Sequence, residues 1–240
     1  MRRQITTLAY RRAAGSEDLT AELIFASYPV FRCLGGGLEG VDRDVAAKEA
    51  QGVFEDWAER VEVRGVYSTA GFKADADLMF FLKATSADDL QDLIVAFRHT
   101  QLGAALEMRE MFLGLVRPAE FAKDHLPAFV QGKDAKKYMC VYPYVRTEEW
   151  YLLDPQTRGE LLREHGEAGR QFPDVNANTT SAFGLGDYEW ILCFEADGLD
   201  RIVELLRRLR ATEARRYTKL EIPFFTGIRK ELKDVVADLP

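Results

Sequence analysis

The chain has 240 residues, of which 47% are hydrophobic and 30% charged, and its formal net charge at pH 7 is −7. This composition is ordinary for a globular protein, and the acidic balance leaves no basic face for nucleic acid and no polybasic anchor for anionic lipid. No apolar run approaches the roughly 18 residues of a membrane-spanning helix, and the amino terminus lacks the apolar core of a signal peptide, so we expect a cytoplasmic protein.

The first half alternates strand-like and helical patterns. Alternating apolar residues predict strands, and apolar residues spaced by three and four predict helices. In chain order we predict a strand near 22–32, a helix at 43–60, strands near 62–68 and 78–84, a helix at 87–99 and a strand near 109–117. This order, β-α-β-β-α-β, is typical of a ferredoxin-like unit.

The second half shows the same order. The segment "KYMCVYPYVR" (137–146) predicts a strand, and a helix follows from about 155, with Asp154 as its cap and Pro155 in its first turn. Two strand-like runs, "VNANTTSAF" and "YEWILCFEA", precede an amphipathic helix that begins near Leu199. The run "KLEIPFFTG" (219–227) predicts the last strand.

An internal duplication relates the two halves. Residues 80–100 match 192–212 at a constant offset, and the motif Tyr-Pro-x-x-Arg occurs at 28–32 and again at 142–146. We therefore predict an α+β fold with two ferredoxin-like halves, at 1–120 and 121–240, joined by a linker at 118–137. Each half buries one sheet face under its helices and leaves the other to be covered, so we expect a dimeric α+β barrel.

Two other patterns carry no chemistry of their own. The run "GGGLEG" (35–40) satisfies G-x-G-x-x-G, but helical periodicity begins only near Arg43, too late for a dinucleotide site, and we interpret the run as a plain loop. The cysteines, Cys33, Cys140 and Cys193, lie in apolar runs without metal or disulfide spacing, and we expect buried thiols.

Three histidines are candidates for chemistry. His165 lies one turn after Leu161 and Leu162, toward the apolar side of its helix, where it could be a core residue or a metal ligand. No His, Cys or carboxylate cluster surrounds it at the spacing of a bare metal site, but one axial histidine suffices for a haem. His99 ends a helix and is expected to be structural. His125 lies in the linker, as a candidate distal base or an exposed residue.

The two halves differ where a haem ligand would be needed. The position equivalent to His165 falls near 52–54 in the first half, where no histidine occurs. We therefore expect the first half to be structural, without haem, and the second half to bind it. Tyr142 is then the functional copy of the repeated motif, and Tyr28 a relic of the duplication.

Three segments of the second half carry a family resemblance: "YPYVRTEEWYLL", "REHGEAGRQFPDV" and "FGLGDYEWILCFEAD". Over residues 20–232 the chain resembles the chlorite dismutase superfamily, and within it the actinobacterial-type coproheme decarboxylases. The resemblance implies that His165 is the proximal iron ligand, Tyr142 the radical-forming tyrosine and Arg146 a propionate-binding cation. Trp150 falls on a pocket tryptophan, and His125 on a distal histidine that takes a proton from peroxide.

The substrate that this resemblance implies brings four carboxylates to an acidic chain, so local cations must bind them. Arg146 shares a strand face with Tyr142 and can pair with a propionate. Arg210 is a further candidate, for which a surface salt bridge is the alternative. The acceptor for the other N–H of His165 is left open between Glu213 and Glu221.

The implied reaction removes two propionate carboxyl groups of coproheme III as carbon dioxide, with hydrogen peroxide as oxidant, and gives haem b. The iron porphyrin is both substrate and redox centre. The run "NANTTSAF" lacks the arginine of true chlorite dismutases, so chlorite turnover is not expected. The resemblance also implies a homopentamer and leaves room for a transient contact with coproporphyrin ferrochelatase.

Two other functions stay open on the sequence. One is a non-enzymatic haem carrier or sensor, although a carrier has no need of both Tyr142 and His125. The other is a cofactor-independent barrel enzyme that acts on small aromatic substrates.

Overall fold

The computed structural model describes residues 23–117 and 126–240. Its first elements are β1 (Phe25–Cys33), α1 (Arg43–Asp56), β2 (Val61–Ser68), β3 (Leu78–Ala84), α2 (Ala87–Arg98), α3 (Gln101–Ala104) and β4 (Leu106–Leu115). There follow β5 (Tyr138–Arg146), α4 (Glu148–Leu152), α5 (Pro155–Gly169), β6 (Asn176–Ser181), β7 (Trp190–Ala196), α6 (Leu199–Arg210), a 3₁₀ helix (Glu213–Tyr217), β8 (Thr218–Leu220), β9 (Phe225–Lys230) and α7 (Leu232–Asp238).

These elements form two compact units. The first unit consists of Leu23–Leu115 and Phe225–Pro240, and the second unit of the described residues of Val116–Phe224. Each unit contains one of the two predicted β-α-β-β-α-β successions.

The first unit has an antiparallel sheet with the strand order β4-β1-β3-β2-β9. Its first four strands follow the ferredoxin-like order, with the fourth strand beside the first and the third beside the second. Phe31, Phe54, Phe80 and Phe97, from β1, β3 and the helices, form an aromatic core with ring centroids 5.0–5.8 Å apart. Aromatic pairs at this separation add to the burial energy of the core.

The second unit repeats this strand order. Strand β5 pairs antiparallel with β7 and β8, and β7 pairs with β6, which gives β6-β7-β5-β8. Its core, built around Tyr142 and Phe194, is closed by Ile202 and Leu205 of α6. The apolar spacing that predicted an amphipathic helix is thus the spacing that covers the sheet.

The duplication predicted from the sequence is present in the secondary structure. Helices α2 and α6 each have 12 residues and begin at Ala87 and Leu199, which is the offset of the sequence match. Helix α5 begins as predicted, since the Asp154 carboxylate accepts a hydrogen bond from Thr157 N at 3.0 Å. Helix α1 ends at Asp56, before the predicted 60, because residues 57–60 form turns.

The prediction of one strand across 219–227 is wrong. Strand β8 pairs with β5 only over Thr218–Leu220, and residues 221–224 are not in a strand. Pro223 lies in this break and has no N–H to donate to a ladder. The chain then forms β9, which pairs with β2 in the first unit.

The glycine-rich run forms turns, as its interpretation as a loop predicted. Gly36 and Gly40 have φ values of 75° and 72°, a region that favours glycine. Helix α1 begins afterwards, at Arg43, where Asp42 caps it. Cys33, Cys140 and Cys193 are buried and form no disulfide bond, which confirms the core thiols. In residues 23–117 and 126–240, no helix is both long and apolar enough to cross a bilayer.

Candidate functional site

Strand β5 carries two of the sequence-predicted residues, Tyr142 and Arg146. Side chains alternate along a strand, so Tyr142 and Tyr144 point to the same side of the second unit's sheet. The pairing with β8 shifts between Val145 and Arg146, and the Arg146 guanidinium contacts the Tyr144 ring. Tyr142 is 2% exposed, and its ring stacks on Phe224 with centroids 4.3 Å apart. Phe194 of β7 packs beside it, with ring centroids 6.2 Å apart. Packing therefore fixes the position of the Tyr142 ring.

The surroundings of Tyr142 favour its neutral form. Burial raises the pKa of this phenol well above its usual value of 10, and the negative charge of Glu221 acts in the same direction. The positive charge of Arg210 lowers the pKa by a smaller amount. Tyr142 consequently keeps its proton at neutral pH.

Arg146 is buried rather than solvated. It is 9% exposed, and its Nη1 donates to the carbonyl oxygen of Ala214 at 3.0 Å. The guanidinium carbon lies 3.9 Å from the centroid of the Trp150 ring and 4.8 Å from that of Tyr144. Burial lowers the pKa of Arg146, which nevertheless keeps its charge because the usual pKa of a guanidinium lies far above neutral pH. A buried cation of this kind favours an anionic ligand.

Helix α4 positions Trp150, and the sequence did not predict this helix. The helix follows Arg146 directly, and Thr147 N donates to the carbonyl oxygen of Tyr217 at 3.0 Å. Trp150 is 4% exposed and lies 5.6 Å from the Tyr217 ring. Glu189 also holds this segment of the chain, because its Oε2 accepts hydrogen bonds from Arg146 N and from the Tyr151 hydroxyl. The indole is therefore held against the arginine on which it stacks.

His165 on α5 is neutral at physiological pH. Its pKa is lowered to about 4, first by burial and second by the positive charge of Arg146. A neutral imidazole is the form of histidine that binds metals. The expectation that His165 faces the apolar side of its helix is thus compatible with a ligand role.

The second nitrogen of His165 faces a hydroxyl group. Its Nδ1 lies 3.4 Å from Oγ1 of Thr212, and that hydroxyl donates its own proton to the carbonyl oxygen of Leu209 at 2.7 Å. The sequence left the acceptor for this nitrogen open between Glu213 and Glu221, and both are paired with arginines. Glu213 is bonded to Arg216, and Glu221 to Arg210 and Arg215.

Arg210 forms part of a three-residue charge cluster. Its Nη2 lies 3.1 Å from Oε2 of Glu221, and Arg215 bonds to the same oxygen. Glu221 is 13% exposed in its side chain, whereas Arg210 and Arg215 are 45% and 42% exposed. The Arg210 guanidinium carbon is 5.8 Å from the Phe224 ring that stacks on Tyr142. One carboxylate cannot neutralise two guanidinium groups, so the cluster keeps a net positive charge near Tyr142.

A short segment, Thr212–Tyr217, connects the predicted residues, and sequence reasoning missed it. Thr212 faces His165, the carbonyl of Ala214 accepts from Arg146, and the Tyr217 ring packs against Trp150. The one available signal was the match of Thr212 with Thr100 in the internal repeat.

The remaining histidines have different positions. His125 lies outside the described residues. His99 belongs to the first unit and is the C-cap residue of α2, where its backbone N–H donates to the carbonyl oxygen of Ala96 at 3.1 Å. Of the sequence-predicted site residues, Tyr142, Arg146, Trp150, His165 and Arg210 all lie in the second unit.

The available donors favour a metal group that brings its own ligands. Throughout residues 23–117 and 126–240, no group of three or more His, Cys, Asp or Glu side chains could hold a metal ion. His165 can therefore supply one bond, to a metal whose other positions are filled by a macrocycle. The buried cation and aromatic rings in the same unit suit a flat ligand with carboxylates.

Comparisons with known proteins show the family of the chain. Residues 43–230 match the sequence model of the family described as chlorite dismutase. A coproheme decarboxylase of Mycolicibacterium smegmatis is 46% identical over 226 residues, which cover 93% of this chain and 97% of the relative. A coproheme decarboxylase of Thermus thermophilus is 25% identical over 77% of this chain and 80% of its own.

Solved structures show the same fold. The chlorite dismutase of Candidatus Nitrospira defluvii in complex with imidazole superposes with a TM-score of 0.80, at 23% identity, over 95% of this chain and 98% of that chain. A protein solved as the putative chlorite dismutase TA0507 superposes with a TM-score of 0.77 at 20% identity. The predicted α+β fold with ferredoxin-like halves is confirmed, and closure into a barrel stays a prediction.

Proposed function

The chain belongs to the chlorite dismutase family, and we propose that it is a coproheme decarboxylase, which converts coproheme III to haem b with hydrogen peroxide. The 46% identity to a coproheme decarboxylase over 93% of the chain carries this assignment. That similarity does not favour a non-enzymatic haem carrier. The site adds a neutral His165 and a buried Tyr142 in one unit, which are the groups that such a reaction needs.

The reaction balances for each propionate. A propionate side chain loses its carboxyl group as carbon dioxide and two hydrogen atoms, and becomes a vinyl group. One hydrogen peroxide accepts those two hydrogens and leaves as two waters. The iron of coproheme, which is the substrate, supplies the redox chemistry when it is bound, and the remaining tasks fall to residues of this chain.

His165 is proposed to bind the iron of the substrate. Its low pKa keeps the metal-binding nitrogen free of a proton well below neutral pH, so iron does not compete with protons at physiological pH. The expected position of the hydrogen is Nδ1, which faces Thr212, and this leaves Nε2 for the metal.

Tyr142 is proposed to carry the radical. Its buried phenol gives up an electron and its proton together, since a tyrosinate is disfavoured there. The resulting phenoxyl oxygen takes one hydrogen atom from the β-carbon of the propionate and so becomes a phenol again. The second oxidising equivalent of the peroxide then accepts one electron from the substrate, the carboxyl proton goes to the water that the peroxide forms, and carbon dioxide is released. Stacking on Phe224 holds the ring during this cycle.

Arginines are proposed to bind the propionates. Arg146 follows Tyr142 by four positions on β5, and its stacking on Trp150 holds the guanidinium in one orientation. Arg210 belongs to the positive cluster near Tyr142, and a propionate could replace Glu221 there. Long-range attraction is not available to coproheme because the chain carries −7, so these local contacts must supply the binding.

The other proposed features come from the resemblance alone. His125 is proposed as the base that takes a proton from peroxide, and an unperturbed histidine pKa near 6.5 suits this role. We also propose a cytoplasmic homopentamer, a transient contact with coproporphyrin ferrochelatase, and a structural first half that binds no haem. The first half supports this last point by having no histidine at residues 52–54.

Mass spectrometry can test the proposed reaction. Purified protein is mixed with iron coproporphyrin III and titrated with peroxide. The expected result is a stepwise loss of two carboxyl groups. Persistence of the four-carboxylate substrate rejects the proposal, and tight binding of haem b without turnover would indicate a carrier.

A further inference from the structure

Two threonines occupy equivalent places in the two halves, and their hydroxyl groups are used differently. Thr100 and Thr212 are each 3% exposed, and each donates its hydroxyl proton to the carbonyl three residues earlier, at 2.7 Å. The Thr100 oxygen also accepts a hydrogen bond from Gly103 N at 3.0 Å and so caps α3. Thr212 makes no such side-chain cap to the 3₁₀ helix that follows it. Its oxygen faces Nδ1 of His165 instead.

The direction of the hydrogen bonds fixes where the proton of His165 lies. A threonine hydroxyl has one proton, and that of Thr212 is donated to the carbonyl of Leu209. Toward His165 it can therefore only accept, and a hydrogen bond between the two groups requires the hydrogen on Nδ1. The lone pair of the neutral imidazole is then on Nε2.

We propose that Thr212 is the positioning residue that holds His165 in the Nδ1-protonated tautomer and leaves Nε2 ready to bind iron. This inference rests on the proposed function only in taking His165 as the iron ligand. Thr212 touches neither the iron nor the propionates in this role, and acts through the imidazole.

The two carboxylates that the sequence offered as acceptors for this nitrogen are paired with arginines. Glu213 is bonded to Arg216 at 2.5 Å, and Glu221 to Arg210 at 3.1 Å. A carboxylate acceptor would draw the Nδ1 proton and make the ligand more basic, as in many metal sites. A neutral hydroxyl at 3.4 Å draws the Nδ1 proton less strongly than a carboxylate would. His165 is therefore expected to bind the iron as a neutral imidazole with little imidazolate character.

Nitrogen NMR of the metal-free protein tests the tautomer directly. The chain has three histidines, so the ¹⁵N-labelled imidazole signals can be assigned by substitution. In the parent protein we expect His165 to show a protonated Nδ1 and an unprotonated Nε2. Thr212→Val keeps the shape of the side chain and removes the acceptor, and should give a mixture of the two tautomers. Thr212→Ser should restore the parent pattern.

Thr100→Val is the matched control. It removes a hydroxyl that makes the same 2.7 Å hydrogen bond to a carbonyl, but in the half without the proposed iron ligand. The His165 signals should therefore not change. An Nε2-protonated His165 in the parent protein, or unchanged signals in Thr212→Val, overturns the proposal.

The ferrous coproheme complex provides a second measurement that separates the two proposals. Thr212→Val should shift the iron–histidine stretching band of the resonance Raman spectrum, and Thr100→Val should not. If His165→Ala abolishes the band while Thr212→Val leaves it unchanged, the role of Thr212 is wrong and the iron ligand stands. If His165→Ala leaves the band intact, the ligand assignment fails.

Discussion

The guanidinium carbon of Arg146 lies 3.9 Å from the centroid of the Trp150 ring, and both side chains are buried. They lie four positions apart in the sequence, and the contact forms because the chain turns from β5 into α4 at Thr147. The arginine Nη1 is also held by the carbonyl of Ala214. A cation fixed on two sides in this way is prepared to meet a carboxylate without first ordering its side chain.

Arg146→Lys should weaken coproheme binding by roughly tenfold, about 1.4 kcal/mol, because lysine keeps the charge but loses the planar fork and the stacking. Titration of the Soret band with coproheme measures the change. Arg201→Lys is a suitable control, since Arg201 forms an exposed pair with Asp174, and its affinity should match the parent. Equal affinities for all three proteins would remove Arg146 from the binding site.

Tyr142→Phe should bind coproheme as the parent does and yet release no carbon dioxide. Phenylalanine keeps the stacking on Phe224 but has no O–H hydrogen to lose, so no radical can form at this position. Mass spectrometry after peroxide addition should find only the four-carboxylate substrate. Tyr28→Phe, in the equivalent motif of the first half, should leave the product yield near that of the parent. Normal yield from Tyr142→Phe contradicts the radical role.

Local patterns predicted most of the fold. Helices α2 and α6 lie where the repeat placed them, because apolar spacing reports which face of a helix is buried. The prediction of one strand at 219–227 was wrong for two reasons. Pro223 interrupts the apolar run, and β9 pairs with β2, which lies far away in the sequence. Strand pairing of that kind is not encoded in the period of a segment.

The candidate site was less accessible to sequence reasoning than the fold. Alternation along β5 predicted that Tyr142 and Arg146 share a face; the structure buries both side chains and has a register shift between Val145 and Arg146, so the shared face stays a prediction. The partner of His165 could not be found in this way, since Thr212 lies 47 residues further along the chain. Both carboxylates considered for that place are bonded to arginines. The roles of these residues stay predictions.

Acidification should act on the metal-free protein through His165. Its pKa is about 4 in the folded chain and about 6.5 when unfolded, so the unfolded chain binds more protons between these values. Stability should therefore fall as the pH drops from 6.5 to 4, and this contribution should be constant above pH 6.5. Urea unfolding of the parent and of His165→Gln measures it, and the variant should lose less stability over this range. His99→Gln, at an exposed helix end, should behave as the parent. An NMR midpoint of His165 near 6.5 contradicts the prediction.

Glu221→Gln should strengthen coproheme binding, because it removes the carboxylate that Arg210 and Arg215 share. The two guanidinium groups then lack an anionic partner from this position and can pair with a propionate. Both arginines are partly exposed, so we expect a gain of about three- to tenfold, on the order of 1 kcal/mol, that shrinks at high salt. Soret titrations at low and high ionic strength measure it. Glu204→Gln is the control, because this substitution removes the same charge. Glu204 pairs with Arg207 on the exposed side of α6. If both variants gain the same affinity for coproheme, the effect is one of net charge and Arg210 binds no propionate. If only Glu221→Gln gains affinity, the Glu221 carboxylate competes with the substrate for the arginine pair.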